Sequence, residues 1–390
     1  MLRSTLVQAI LLAGILAMRG EASAAPRSPA ASAAQTPRAT QPAAGTAESP
    51  TDSKPPSAVV SSPAKRPSLS SAVPRDYLQE APPKAKRGLA SIATRSERGT
   101  LRVGGLLQAW YQADEAAPDS FRGRRGEVKL YGDMTDKVYY YIMFDSAKEL
   151  HQNKVDILQS GRPLSDLYLG YRLGEHTFVD FGQYKIPVTK EGRGSSGKLD
   201  FAERAIVTRT YGDRRDQGLQ VRHESSKFEL RAAILDGEEL NRADTNDAKD
   251  VTGMISWHPN KRLEAGASVY RGRQAVTLGR KDRTGVELEW KPGRWDLKGE
   301  YTEGQDFARR SAGWYTTAAY TLGPRWQLAL RREAFEADRS IVNGAEHATT
   351  LGANYFLDGH FAKVQLNYIA RQESPSIAND QAILAMQVAF

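Results

Sequence analysis

Cysteine is absent from the 390 residues, which excludes disulfide frameworks, thiolate zinc sites, iron–sulfur clusters and cysteine nucleophiles. Long apolar runs are lacking too. Beyond residue 18 none approaches the roughly 18 residues of a membrane helix, and mean hydropathy is −0.54. Helical membrane proteins are therefore out. A transmembrane β-barrel is not, because its strands alternate apolar and polar residues and average to a hydrophilic score. The 33 Gly, 16 Tyr and 6 Trp suit such a barrel without establishing it.

A one-sided charge is also missing where it would matter. The formal net charge is +8, but residues 26–98 carry 11 basic against 5 acidic side chains, and residues 99–390 carry 41 against 40. The excess basicity sits in the N-terminal tail. A basic face for nucleic acid finds little support in the large C-terminal part, and no nucleic-acid partner is expected.

Residues 1–24 read as an export signal: Arg3, an apolar core from Leu6 to Met18, and the small-x-small stretch Ala22-Ser23-Ala24 with cleavage before Ala25. Residues 25–98 are a different material. Twelve of the 19 prolines fall between Pro26 and Pro83, and the only aromatic there is Tyr77. Such a segment cannot bury enough apolar surface to offset its ordering entropy, so a disordered periplasmic linker acting as a spacer is expected, the alternative being that its scattered Lys and Arg touch an anionic polymer such as peptidoglycan.

From residue 99 to the end the pattern has period two. Val364, Leu366 and Tyr368 alternate with Lys363, Gln365 and Asn367; Val286, Leu288 and Trp290 alternate with Glu287 and Glu289. Alternation alone does not separate a soluble sandwich from a membrane barrel. Aromatic strand ends, a charge at nearly every second residue of the polar face, and a chain that stops on a strand ending in Phe390 favour the barrel. The pattern predicts strands at 100–112, 121–133, 137–146, 164–173, 176–185, 217–225, 227–235, 250–257, 261–271, 283–291, 294–303, 312–322, 325–335, 346–357, 361–371 and 381–390. Sixteen is even and returns both chain ends to the periplasmic side. Short turns are expected at Ser225-Ser226, Pro259-Asn260, Pro292-Gly293 and Gly323-Pro324, and longer external loops at 236–249, 272–282 and 336–345. The terminal strand, with Leu384, Met386, Val388 and Phe390 on one face, is the expected address for the barrel assembly machinery.

The connection between about Lys185 and Gln217 is unusually long for a compact fold, and such loops are usually functional. It holds Lys190, Arg193, Lys198, Arg204, Arg209, Arg214 and Arg215 against Glu191, Asp200, Glu203, Asp213 and Asp216. Phe181-Gly-Gln-Tyr-Lys-Ile-Pro187, with Gly182, Gln183, Lys185 and Pro187, resembles the Gly-Gln-aromatic-Lys-x-Pro stretch of the phosphate-selective porin O and P family. The resemblance continues through Ser195-Ser196, Phe201-Ala-Glu-Arg-Ala205 and Gly212-Asp-Arg-Arg-Asp-Gln-Gly-Leu-Gln-Val221. Upstream, Phe121-Arg-Gly-Arg-Arg-Gly-Glu-Val-Lys-Leu130 resembles the family's Arg-rich second strand, and Leu164-Ser-Asp-Leu-Tyr-Leu-Gly-Tyr171 the strand before the loop. This resemblance implies a sixteen-stranded outer-membrane barrel in outer-membrane lipid, usually trimeric, with the long loop folded inward and pore Arg and Lys acting on anions.

The expected function is passive diffusion of small anions, phosphate-like or other, with no cofactor. The near-neutral barrel points to a modest anion preference. The constriction is expected from the seven basic residues of loop 187–216, with Arg222 and Arg231 on the following wall strands. The plainer expectation is that these cations pair with Glu191, Asp200 and Glu203 to hold the loop folded. Gly192-Arg-Gly-Ser-Ser-Gly197 spells a dinucleotide fingerprint, but it lacks the strand–helix context the motif needs and reads as flexible loop glycine. The six His residues (151, 176, 223, 258, 347 and 360) show no metal-ligand spacing. An enzyme is therefore not expected. A structural barrel tethering the envelope through its basic tail is the alternative.

Overall fold

The computed structural model describes residues 93–96, 98–150, 162–274 and 277–390. The signal segment 1–24 and nearly all of the 25–98 tail, together with His151, lie outside the described residues.

The strands are β1 (Ala93–Ser96), β2 (Gly99–Asp114), β3 (Ser120–Asp133), β4 (Val138–Asp145), β5 (Leu164–Arg172), β6 (Thr177–Lys185), β7 (Arg215–Glu224), β8 (Phe228–Leu235) and β9 (Asp250–Asn260). There follow β10 (Leu263–Gln274), β11 (Gly279–Trp290), β12 (Trp295–Asp306), β13 (Arg309–Thr321), β14 (Trp326–Glu336), β15 (Ala345–Asp358), β16 (Ala362–Gln372) and β17 (Gln381–Ala389). Each strand from β2 onward pairs antiparallel with the next, and β17 closes on β2 from Gln381↔Asp114 to Ala389↔Leu106. The result is a closed sixteen-stranded barrel, β2 to β17, as the alternation predicts. Closure leaves each of the sixteen strands β2 to β17 paired on both sides, the condition for backbone to cross lipid.

Three details differ from the sequence-based expectation. β1 pairs with β2 from Ala93↔Arg102 to Ser96↔Gly99, so an ordered hairpin arm extends into the stretch expected to be unstructured. The gap expected at 272–282 is mostly strand, with Gln274 opposite Gly279 and Arg273 opposite Arg280. Its paired residues Gly272, Arg273, Arg280, Lys281 and Asp282 offer no apolar side chain, so no period-two signal marks them, while the backbone ladder continues regardless. Asn260 also belongs to the ladder, opposite Leu263, which leaves Lys261-Arg262 as the turn.

The faces are inverted relative to a soluble protein. Leu219, Leu230, Ile255, Val286 and Leu288 are exposed on the outside, whereas Glu287, Glu289, Glu300 and Arg331 are buried inside. Lipid is the solvent that makes this arrangement favourable. At the end with short turns, Trp295 packs on Tyr320 at 4.7 Å between ring centroids and Trp326 on Tyr355 at 4.6 Å. Trp257 and Trp290 are half exposed at the same end. Amphipathic rings at that level match a membrane interface.

The long connection between β6 and β7 enters the lumen. Ile186, Val188 and Val207 join Tyr139, Tyr141, Tyr168, Phe178 and Tyr184 in one dry cluster. Ala202 and Ile206 join Trp110, Ile369 and Ile383 in a second, and Phe201 meets Ala319 and Ala329 in a third. The loop is thus packed against well-separated parts of the wall.

Candidate functional site

The resemblance motif forms the root of the loop. Gly182 has φ 132, and a Cβ there would sit 2.3 Å from the Leu167 carbonyl oxygen. Only glycine tolerates both the conformation and the approach. The Gln183 amide donates to the Asn241 side chain at 2.8 Å and accepts from the Asn241 backbone N–H at 2.8 Å, tying in the β8–β9 connection. Lys185 Nζ donates to the carbonyls of Gly192 and Gly194 at 2.9 and 3.0 Å and pairs with Asp213 at 3.1 Å. Pro187 is buried between the buried Ile186 and Val188. These four residues therefore shape the loop from behind.

Several of the candidate cations anchor it. Lys190 reaches Glu264 at 2.5 Å and Glu289 at 3.3 Å. Burial alone would lower its ammonium, but Glu289 and Glu264 outweigh that and hold it above the ordinary range. Arg193 forms a fork with Glu287, at 2.9 and 2.5 Å, with both side chains buried. Such charge-assisted bidentate pairs fix orientation as well as distance. Arg204 is a staple within the loop. Its guanidinium donates to the Glu191 and Gly194 carbonyls, to Ser196 Oγ and to Asp213, at 2.9–3.1 Å. Burial raises the Asp213 carboxyl, yet Arg204 and Lys185 dominate and hold it well below the carboxylate range. Arg215 meets Asp166 at 3.2 Å and Asp213 at 3.6 Å, and Arg214 meets Glu239 at 3.7 Å. Lys198 ends a 3-10 turn, Ser196–Lys198, and is half-buried.

The two wall candidates lie deeper. Arg222 is fully buried, pairs with Asp180 at 2.5 Å and with Glu224, and lies 4.9 Å from the Phe178 ring. Arg231 is buried against Glu229. Of the acids expected to pair within the loop, Asp200 instead meets Lys298 of β12 at 2.5 Å, and Glu191 accepts from the Ala205 N–H at 2.8 Å. The seven loop cations are therefore not a ring. They are distributed between root, wall and cavity.

The fingerprint-like Gly192 is not flexible. It is buried, and a Cβ there would lie 2.3 Å from Thr189 Oγ1 and 2.6 Å from the Asp213 nitrogen. Close packing of the loop on itself explains that glycine.

Between loop and wall lies a cavity of about 590 Å³. Ten basic and six acidic side chains line it. Arg209, on the short helix Ile206–Tyr211, is half-buried there; its Nε has no hydrogen-bond partner, and it makes no ion pair among the described residues. Lys148 Nζ donates to Ser165 Oγ at 3.0 Å and has no carboxylate within ion-pair distance among the described residues. Burial, reinforced by Arg215, pulls its ammonium down to about 8. These two cations leave the cavity with positive charge in ion-pair contact with no carboxylate among the described residues.

The sequence-based site omits Arg122, Arg124 and Arg125, which all line this cavity. In a regular strand neighbours point to opposite faces, so three arginines in four residues would be split. Gln108 pairs with Arg125 and Ala109 with Gly123, which leaves Arg124 as the extra residue of a β-bulge. The bulge brings all three inward. Arg124 grips Glu203 at 3.1 Å and lies 5.3 Å from the Trp110 ring. Arg125 donates to Gln108 at 2.5 Å, and Arg122 to Gln112 at 2.8 Å. Burial would raise the Glu203 carboxyl, but Arg124 and Arg125 bring it down to about 2. The sequence signal is the Arg-rich run itself, and alternation by itself assigns only part of it to the lumen.

The family model described as "Phosphate-selective porin O and P" matches residues 108–278 and 244–390. No curated protein is matched by sequence. Among solved structures, the chain is similar to a loop L8 deletion mutant of OmpT, an outer membrane protein of Vibrio cholerae, with TM-score 0.55 and 14% identity over 75% of this chain and 100% of that one. It is also similar to Salmonella typhi OmpF in complex with daunomycin, with TM-score 0.55 and 11% identity over 77% and 100%. A third is an anion-selective porin from Comamonas acidovorans, with TM-score 0.54 and 13% identity over 75% and 100%. At these identities the likeness concerns the fold.

Proposed function

The chain belongs to the phosphate-selective porin O and P family, outer-membrane channels for passive diffusion of small solutes, and from that premise we propose that this pore prefers anions modestly. The observation that carries the reading is the cavity beneath the loop, where ten basic side chains face six acidic ones and neither Arg209 nor Lys148 has a carboxylate partner among the described residues. A cationic constriction lowers the entry barrier for anions, provided binding stays weak enough for release. The six acids limit the field, hence the modest degree. In this reading the chain is a pore and not an enzyme, works without a cofactor, and loses residues 1–24 on export. Residues 25–98 serve as a periplasmic linker able to touch peptidoglycan, and three copies assemble as the family resemblance implies.

The test is the reversal potential of the full-length protein in a planar bilayer across a KCl gradient. The sign expected is that of a chloride-preferring pore, and a potassium-preferring pore would overturn the reading. Phe390, whose backbone exchanges hydrogen bonds with Gly105 at 2.9 and 3.1 Å, is proposed to serve the assembly machinery. Deleting it should reduce the heat-modifiable, inserted barrel on unheated gels, and an unchanged yield would count against that role.

A further inference from the structure

The cavity is amphipathic. One part of its lining is cationic, with Arg122, Arg209, Arg371 and Lys148. Another part is hydrocarbon: Trp110, Ile206, Ile369 and Ile383 also line it, and they pack together as one dry patch. That patch comes from both partners, Ile206 from the loop and the other three from β2, β16 and β17. A small inorganic anion gains nothing from isoleucine and tryptophan, because it has no apolar surface to remove from water. A solute with one anionic group and a compact apolar body uses both parts at once. The cavity volume of about 590 Å³ lies within the roughly 300–1,000 Å³ of small-molecule sites.

We propose that this cavity is a transit binding site for organic monoanions with a compact apolar body, of the class of aromatic carboxylates. The carboxylate is held by Arg209 and Lys148, and the body lies on Ile369, Ile383 and Trp110. Arg209 presents a planar fork suited to a carboxylate, and Lys148 adds a point charge. Neither is in ion-pair contact with a carboxylate among the described residues, so each has room for an incoming anion. The apolar part supplies discrimination that charge alone does not give. The inference rests on the anion-preferring reading above and deepens it.

The experiment uses the full-length chain in planar bilayers. The chloride current is titrated with benzoate, acetate or inorganic phosphate at constant ionic strength. Benzoate is expected to half-block the current at a concentration about tenfold below that of acetate, from partial burial of its ring, and also below that of phosphate. Ile383→Ser should shrink the ratio by which benzoate outdoes acetate, and Ile369→Ser provides a second variant should the first fail to insert. Equal block by benzoate and acetate, or tightest block by phosphate, would overturn the proposal in the wild type, with no variant needed. A potassium-preferring reversal potential in KCl alone would overturn the underlying pore reading. A chloride-preferring pore without a benzoate advantage would overturn only the organic-anion site.

Discussion

The constriction loop meets two walls of opposite charge. On the side of β10–β12 the barrel presents Glu264, Glu287 and Glu289, and the loop answers with Lys190 and Arg193. On the side of β3 the barrel presents Arg124 and Arg125, and the loop answers with Glu203. A barrel that is nearly neutral in sum is thus strongly segregated in space. On the acidic wall the loop's cations are matched, Arg193 buried and Lys190 half-buried. On the basic wall they are not all matched, and the remainder opens onto the cavity. Net charge alone therefore hides this segregation, and the cations without an ion pair among the described residues lie on the cavity side.

The contrast can be broken most severely at the acidic wall. Glu287→Gln leaves the Arg193 guanidinium buried without its partner carboxylate, a loss of about 3–5 kcal/mol for a buried pair. The loop should detach there while the barrel persists. Single-channel conductance should rise, and proteolysis within residues 186–214 should appear, with heat-modifiable gel mobility retained. Unchanged conductance and unchanged protection would mean that this pair does not hold the loop.

At the basic wall the opposite kind of effect is expected. Glu203→Gln removes one acid from the cavity lining and should raise the chloride-to-potassium permeability ratio by about twofold, since a unit charge about 10 Å from the ion path is worth roughly 0.4 kcal/mol in water-like surroundings. Because Glu203 is held down to about 2, its native pairing stabilises docking at every pH above its unfolded value of about 4.3. That contribution fades only as pH falls from there toward 2. Loop protection should accordingly stay constant from neutral pH to about 4.3, and a loss near pH 6 would contradict the pairing.

How much of this was legible follows from the physics of each part. The strands were legible because lipid outside and polar lumen inside impose period two on residues such as Val286 to Trp290. The β10–β11 hairpin beyond Arg271 was not, because its paired residues Gly272, Arg273, Arg280, Lys281 and Asp282 carry no apolar side chain and so no alternation. The loop's length and charge marked it as the functional connection. Its partners were hidden, since Lys190–Glu264 and Arg193–Glu287 form only when the loop crosses the lumen. The inward turn of Arg122, Arg124 and Arg125 depends on one bulge residue, and no local pattern announces a bulge among arginines. The Gly-Gln-Tyr-Lys stretch was visible as a motif, but its work as a root for the loop needed the contacts to Asn241 and Gly192.

A smaller effect should accompany pH. Lys148 is pulled down to about 8, so it is mostly charged at pH 7 and mostly neutral above pH 9. Anion preference should fall by less than about twofold across that interval, and the fall should vanish in Lys148→Gln. A preference that increased with pH would assign the titration to another group.

The central claim is that the cations facing the cavity, and not those docked on the acidic wall, set the ion preference. Its most direct test is the reversal potential across a KCl gradient for wild type and for the double variant Lys148→Gln/Arg209→Gln. Removing two unit charges should lower the chloride-to-potassium permeability ratio by about fourfold, with conductance of the same order and the loop still protected from protease. An unchanged or increased ratio in the double variant would contradict the account.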